Sequence, residues 1–259
     1  MKEKLSVVKI GGNIIEDKAA LEDFIGLFSE HQGPKILVHG GGKLATEMGQ
    51  RLGVPSQLVG GRRITDADSL EVITMVYAGL LNKNIVAQLQ AKHCNAIGLS
   101  GADANTIQAH KRPVKEIDFG FVGDVDHANA TTIDALLQAS LVPVFCAMTH
   151  DGHGQLLNTN ADTIASEIAI ALSGAYRTTL YYCFEKKGVL MDREDESSVV
   201  VQINKDTYQD LLDKKIIADG MLPKLENCFH ALRQDVGKVC IGDISMLNPS
   251  ATLFTTITL

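Results

Sequence analysis

Three observations predict an α/β fold with a mostly parallel central sheet: six short apolar runs, helical stretches between them, and glycine turns straight after the first two runs. The runs are Leu5–Ile10, Lys35–His39, Ala96–Leu99, Val142–Cys146, Thr178–Cys183 and Lys238–Ile241. They are apolar almost throughout instead of alternating, as in strands covered on both faces. Helical stretches fall between them at Ala19–Ser29, Leu44–Leu52, Ser69–Lys92, Ile133–Ala139, Asp162–Leu172, Lys205–Asp213 and Lys224–Gln234. This alternation places strands side by side and parallel, joined by crossover helices. Ligands of such sheets lie outside the carboxyl ends of the strands. The turns at Gly11-Gly12 and Gly40-Gly41-Gly42 both fall at that edge.

Shorter hairpins interrupt the pattern. Gln57–Ile64 reads as two short strands around Gly60-Gly61, Ile107–Val125 as a longer strand pair, and His150–Gly154 as a tight turn. A chain of 259 residues suffices for one large domain or two lobes. A boundary near Ser173-Gly174 is expected, giving lobes 1–173 and 174–259 that share one continuous sheet.

Composition excludes several function classes. With 45% apolar and 21% charged residues and a net charge of −7, the chain is an ordinary globular protein. No basic run exceeds a pair, so nucleic acid is not an expected partner. No apolar run approaches membrane-spanning length, so no membrane partner is expected either. The first strand begins at once after Met1, which leaves no room for a signal peptide. Five scattered cysteines without a C-x-x-C motif read as reduced core thiols, and a cytoplasmic location is expected.

Two lysines stand out. Lys9 ends the first run and leads into Gly11-Gly12, where missing side chains let a ligand approach exposed N–H groups. Lys224 follows Asp219-Gly220-Met221-Leu222-Pro223, and a proline there marks a first helical turn. A lysine in a first turn opposes the helix dipole unless a bound anion reverses the balance. Two such cations point to a phosphate-handling enzyme.

His39-Gly40-Gly41-Gly42-Lys43 loosely matches a dinucleotide fingerprint through Gly40, Gly42 and Ala45. The acidic residue expected about 20 positions on is replaced by Gly60 and Gly61. Leu44 after Lys43 also rules out a P-loop. The segment is either a structural turn or a turn whose amides face a phosphoryl or carboxylate oxygen, and three successive glycines favour the second. Arg63 is either one of two solvent-exposed arginines or a fork for a carboxylate. Asn158-Thr159-Asn160-Ala161-Asp162 opens a helix, where capping explains at least one polar side chain. Asp162 suits a lysine or a metal, and Asn158 a polar substrate. His150-Asp151-Gly152-His153 reads as a hairpin turn, because helical ligand spacing and a completing ligand are missing. No Ser-His-Asp or Cys-His set stands out.

Lys9-Ile-Gly-Gly, His39-Gly-Gly-Gly, Gly61-Arg-Arg-Ile-Thr-Asp, Gly98-Leu-Ser-Gly-Ala-Asp, Gly120-Phe-Val-Gly-Asp-Val, Asn158-Thr-Asn-Ala-Asp-Thr and Asp219-Gly-Met-Leu-Pro-Lys together resemble a known series. In order and spacing they are similar to the motifs of the N-acetylglutamate kinase family, within the amino acid kinase superfamily. The resemblance spans roughly residues 5 to 235. It implies an open αβα sandwich, ATP as donor with magnesium carried by the nucleotide, and an N-acylglutamate as acceptor in arginine biosynthesis. Lys9 and Lys224 would contact the transferring phosphoryl and the nucleotide phosphates, with Asp162 orienting both. Gly12 and Gly41 amides would hold the phosphoryl and the acceptor carboxylate, with Gly11 beside them. Arg63, Asn158, Asn160 and Gly42 would bind the amino-acid substrate. Glu185, Gly188, Ala218 and Gly220 would line the nucleotide side. No resident metal site is implied. The N-terminal lobe would bind acylglutamate and form a homodimer through the 69–92 helix, and the C-terminal lobe would bind ATP.

The chain departs from the family pattern in two places. Tyr181-Tyr-Cys-Phe-Glu-Lys-Lys-Gly188 replaces a strand ending in Thr/Ser-Asp-Val-x-Gly, with Glu185 standing for the usual Asp, and Thr255-Thr256 replaces a closing Gly-Thr. Because the first strand starts by residue 5, the N-terminal helix that links arginine-inhibited members into hexamers is expected to be absent, and insensitivity to arginine with it. A succinyl or other acyl group, another superfamily kinase (carbamate or UMP), and a non-catalytic sensor are the alternatives. The chemistry suits the residues independently. A carboxylate with a pKa near 4.3 is already an anionic nucleophile at neutral pH, so no general base is needed. Alignment and charge neutralisation are what in-line transfer requires.

Overall fold

The computed structural model describes residues 2–192, 194–214, 216–217 and 221–259. In chain order the elements are β1 (Lys4–Ile10), α1 (Gly12–Glu16), α2 (Lys18–Glu30), β2 (Lys35–His39), α3 (Gly42–Arg51), β3 (Gln57–Val59) and β4 (Arg62–Ile64). They continue with α4 (Ala67–Thr74), α5 (Asn82–Ala91), β5 (Ala96–Leu99), β6 (Ile107–Lys111), β7 (Gly123–Ala128), α6 (Ala130–Gln138), β8 (Val142–Cys146) and β9 (Met148–His150). The rest are β10 (Leu156–Asn158), α7 (Ala161–Leu172), β11 (Arg177–Cys183), β12 (Gln202–Ile203), α8 (Lys205–Asp213), α9 (Leu222–Arg233), β13 (Lys238–Gly242) and β14 (Thr255–Ile257).

Eight strands form one sheet in the order β12-β14-β13-β11-β1-β2-β8-β5. All six apolar runs are in it, and their mutual pairings are parallel. Among the described residues, only the β13–β14 pairing of this sheet is antiparallel. The reason is visible in the burial: β2 is covered at all five positions and β1 at its last six. One layer packs α7 across β1, β2 and β11 beside α6 and α9, while α2 packs against α5. The β1–β11 pairing makes the sheet continuous across residue 173. A second sheet, β10-β9-β6-β7, and the β3–β4 hairpin stand apart from it. The bridges Thr65–Gly120 and Val122–Asn158 tie hairpin and second sheet together.

Some expectations need correction. The turn after Lys9 is a short helix: Gly11 is its N-cap, with φ −87°, and Gly12 its first residue. Neither glycine has a left-handed backbone, and both line the cavity at Lys9. The 69–92 helix is interrupted by a π-helical segment, Met75–Leu81, which widens the helix under the Gly41 turn. Taken through the π segment, Ala67–Ala91 is also long and apolar enough to cross a membrane by length and composition, which scattered polar residues hide from a search for uninterrupted runs. In the fold 44% of its apolar window is buried, with Ile73, Val76, Ile85 and Leu89 in the core. The short strands β12, at the sheet edge, and β14 beside it carry too few residues to show a period.

Candidate active site

β1 carries Lys9 through the core to the carboxyl edge of the sheet, where the residue is 8% exposed. Its Nζ lies 2.7 Å from Asp162 Oδ1. Asp162 is held in the first turn of α7, whose N-cap Asn160 accepts hydrogen bonds from the Asp162 and Thr163 N–H groups. The Tyr182 hydroxyl donates to the Asp162 carbonyl at 3.1 Å. Lys224, in the first turn of α9, lies with its Nζ 3.8 Å from the centroid of the Phe184 ring, and Lys9 Nζ is 5.6 Å from the same centroid. Burial, with Lys9 adding repulsion and Asp162 opposing it, holds the Lys224 pKa below its ordinary value. The trio is therefore one carboxylate between two desolvated cations, an arrangement short of negative charge.

A cavity of about 900 Å³ opens above it. Lys9, Gly11, Gly12, Phe184, Glu185, Gly188 and Lys224 line one part, and Val189, Leu190, Ile216, Ile217 and Met221 form an apolar wall. Gly188 is forced by packing: a Cβ there would stand 2.6 Å from Thr255 Oγ1. Thr255 itself accepts from the Val189 N–H and donates to the Val200 carbonyl, both at 2.8 Å. Its position at the altered C-terminus thus clamps the cavity rim. Ala218 and Gly220, expected on the nucleotide side, and Asp219 lie outside the described residues.

A second cluster sits at the end of β2. Gly41 has φ +154°, and a Cβ there would lie 2.3 Å from Leu81 Cδ1 and 3.2 Å from the Tyr77 ring, so only glycine fits. His39 is fully buried, with Nδ1 2.8 Å from the Gly40 carbonyl and Nε2 3.1 Å from Asn82 Nδ2. The amide of Asn82 also donates to the Val144 carbonyl at 2.9 Å, so Nδ1–H is the donor to Gly40 and the ring is neutral. Burial pushes the His39 pKa down to about 4. Arg63 is half-buried, not solvent-exposed. It donates to the Gly42 carbonyl at 2.7 Å, to Thr46 Oγ1 at 2.8 Å and to Ser56 Oγ. Asn158 donates to Thr65 Oγ1 at 3.0 Å. Lys43 joins the two clusters, 3.1 Å from Glu16 Oε2 and 2.5 Å from Asn13 Oδ1.

The structure thus brings Lys9, Lys224, Gly11, Gly12, Glu185 and Gly188 around one cavity, with Asp162 behind it on Lys9, and Gly41, Gly42 and Arg63 around the neighbouring turn. Asn158 lies on β10, joined to the hairpin through Thr65. Asn160 uses its amide oxygen as the α7 cap. His150–His153 is a β9–β10 turn in which Asp151 accepts from the His153 and Gln155 N–H groups. Sequence reasoning passes over Phe184, Tyr77 and Asn82. An aromatic at a strand end reads as core, and only the amide at position 82, within an apolar helix, carries a signal.

The amino acid kinase family model matches residues 4–243. The chain belongs to this family. It is 54% identical to the acetylglutamate kinase of Bacteroides fragilis over 93% of this chain and 92% of that one. It is 51% identical to the acetylglutamate kinase of Cytophaga hutchinsonii over 98% of both chains. Among solved structures it is similar in fold to N-acetylglutamate synthase from Neisseria gonorrhoeae, with TM-score 0.81 and 17% identity, covering 99% of this chain and 59% of that one. Carbamate kinase from Giardia lamblia shares the amino acid kinase fold at TM-score 0.73 and 12% identity, covering 99% and 98%.

Proposed function

We propose that this amino acid kinase is an ATP-dependent acetylglutamate kinase of arginine biosynthesis, phosphorylating the side-chain carboxylate of N-acetyl-L-glutamate. The observation that carries the reading is Lys9 and Lys224 lining a nucleotide-sized cavity, with Asp162 paired to Lys9, next to the Gly41–Arg63 cluster. More than 50% identity to two acetylglutamate kinases supports the acceptor.

The acceptor carboxylate is the nucleophile and attacks the γ-phosphorus in line. The phosphorus–oxygen bond to ADP breaks as the new bond forms, and the electron pair leaves on ADP. Lys9 faces the transferring group and Lys224 the departing phosphates, each stabilising charge that develops in transfer. Asp162 fixes Lys9 and offsets one cation. The Gly12 and Gly41 amides hold the phosphoryl and acceptor oxygens. Arg63, Asn158, Asn160 and Gly42 bind the amino-acid end. Gly11, Glu185, Gly188, Ala218 and Gly220 serve the nucleotide. With Lys9 paired, the trio offers one net positive charge, well short of a triphosphate's. Magnesium carried by the nucleotide would supply the remaining charge neutralisation, and Asp162 and Glu185 are the carboxylates that would be available to it. Residues 1–173 form the acceptor lobe and 174–259 the nucleotide lobe, in a cytoplasmic enzyme.

The partner is a second copy of the chain. Met75 and Leu80, 54% and 43% exposed on the π-helical segment, support a homodimer through the 67–91 helix. Light scattering should give a dimer, and Met75→Glu should shift it to monomer; a hexamer, or a dimer unmoved by the substitution, contradicts this. N-succinylglutamate is the alternative acceptor. Coupled ADP release with acetyl- and succinyl-glutamate decides between them. No turnover with either leaves the sensor reading.

A further inference from the structure

Phe184 touches the catalytic trio without belonging to it. It follows β11 directly, and its N–H still donates to the Gly242 carbonyl at 2.8 Å, so the strand geometry continues through it. Residues two apart on a strand share a face, which puts Tyr182 and Phe184 together. Their rings stack, with centroids 6.3 Å apart and planes at 23°. Tyr182 grips the Asp162 carbonyl through its hydroxyl and pairs in register with Lys9. Phe184 continues the same aromatic track outward to Lys224.

Lys224 has reason to leave this place. Its flexible stem favours many rotamers, the α9 N-terminus repels a cation, and so does Lys9. Asp162 is already paired with Lys9 at 2.7 Å. What lies directly beneath the Lys224 ammonium is the negative face of an aromatic ring, and a half-desolvated cation is attracted to it. We propose that Phe184 is a positioning residue whose ring holds the Lys224 ammonium beside the Lys9–Asp162 pair before the nucleotide binds. Phosphate oxygens then take the ammonium from the ring, because a full negative charge outbids a quadrupole. The kinetic part of this inference rests on the kinase reading; the placement of Lys224 does not.

Two measurements test it. In protein whose lysines are reductively methylated with ¹³C, the Lys224 resonance, assigned by its loss in Lys224→Arg, should be displaced upfield by the ring current. Phe184→Leu should abolish the displacement and Phe184→Tyr should keep it. In the coupled assay, Phe184→Leu should lower kcat/KM for ATP about 3- to 30-fold, with KM for acetylglutamate unchanged and Phe184→Tyr close to wild type. An undisplaced wild-type resonance, or an active Phe184→Leu enzyme with full kcat/KM for ATP, overturns the inference. Wild-type protein without turnover overturns the kinase reading, and the resonance then decides the placement by itself.

Discussion

The two sides of the site hold their polar groups differently. Around the Gly41 turn and the hairpin beside it, the side chains already have protein partners: Arg63 with Gly42, Thr46 and Ser56, His39 with Gly40 and Asn82, and Asn158 on β10 with Thr65. On the cavity side, Lys9 shares one carboxylate and Lys224 rests on an aromatic face above about 900 Å³ of open space. A site built from satisfied hydrogen bonds must exchange partners when a ligand arrives, so it selects by geometry. A site built from desolvated cations gains directly from an anion and most from the charge that moves in transfer. Substitutions on the first side should therefore act on acceptor binding and local stability, and those on the second on rate.

The sharpest way to break this contrast is at the lysines. Lys9→Ala and Lys224→Ala should each lower kcat on the order of 10²–10³-fold with little change in acylglutamate binding. Lys→Arg should also fail at both sites, since a planar fork does not replace a compact ammonium. The double variant should be far less than multiplicatively worse. Near-normal kcat in either alanine variant removes that lysine from the chemistry.

A smaller effect belongs to His39 and appears as pH-dependent stability. Its folded pKa, about 4, lies below the ordinary 6.5, so between those values the unfolded chain binds the extra proton. Stability from this group is complete above pH 6.5 and is lost as pH falls through 4, a total of about 3 kcal/mol. Urea unfolding at pH 7 and pH 4 should show a steeper acid loss in wild type than in His39→Asn. Parallel losses in the two proteins would remove His39 as the source.

Arg63 sharpens the comparison from the other side. Arg63→Ala should raise KM for acylglutamate about 10- to 150-fold, the loss of one charge-assisted contact, and leave KM for ATP nearly unchanged. Arg62→Ala, which alters the exposed neighbour in the same hairpin strand, should do little. Equal effects from both, or an effect on ATP alone, would erase the distinction between the two sides.

What was legible follows from where the information is written. Strands buried on both faces are apolar at most positions, so all six runs were readable within a residue or so at either end. Glycines at sheet edges and lysines beside them were readable because few local structures require them. The sequence by itself therefore determined the six parallel strands, the crossovers and the candidate cations, but not β12 and β14. The residues alone left Asp162 open between a lysine and a metal, and only the family resemblance paired it with the lysines; it is the α7 packing across β1 and β11 that brings it to Lys9. Nor did the sequence assign Arg63 to the Gly42 carbonyl, Tyr77 and Leu81 to the space beside Gly41, or Phe184 to Lys224. Those contacts join residues from different elements. Local sequence specifies the period and burial of each element, but only the tertiary packing of one against another sets the distances at which charges, rings and backbone meet.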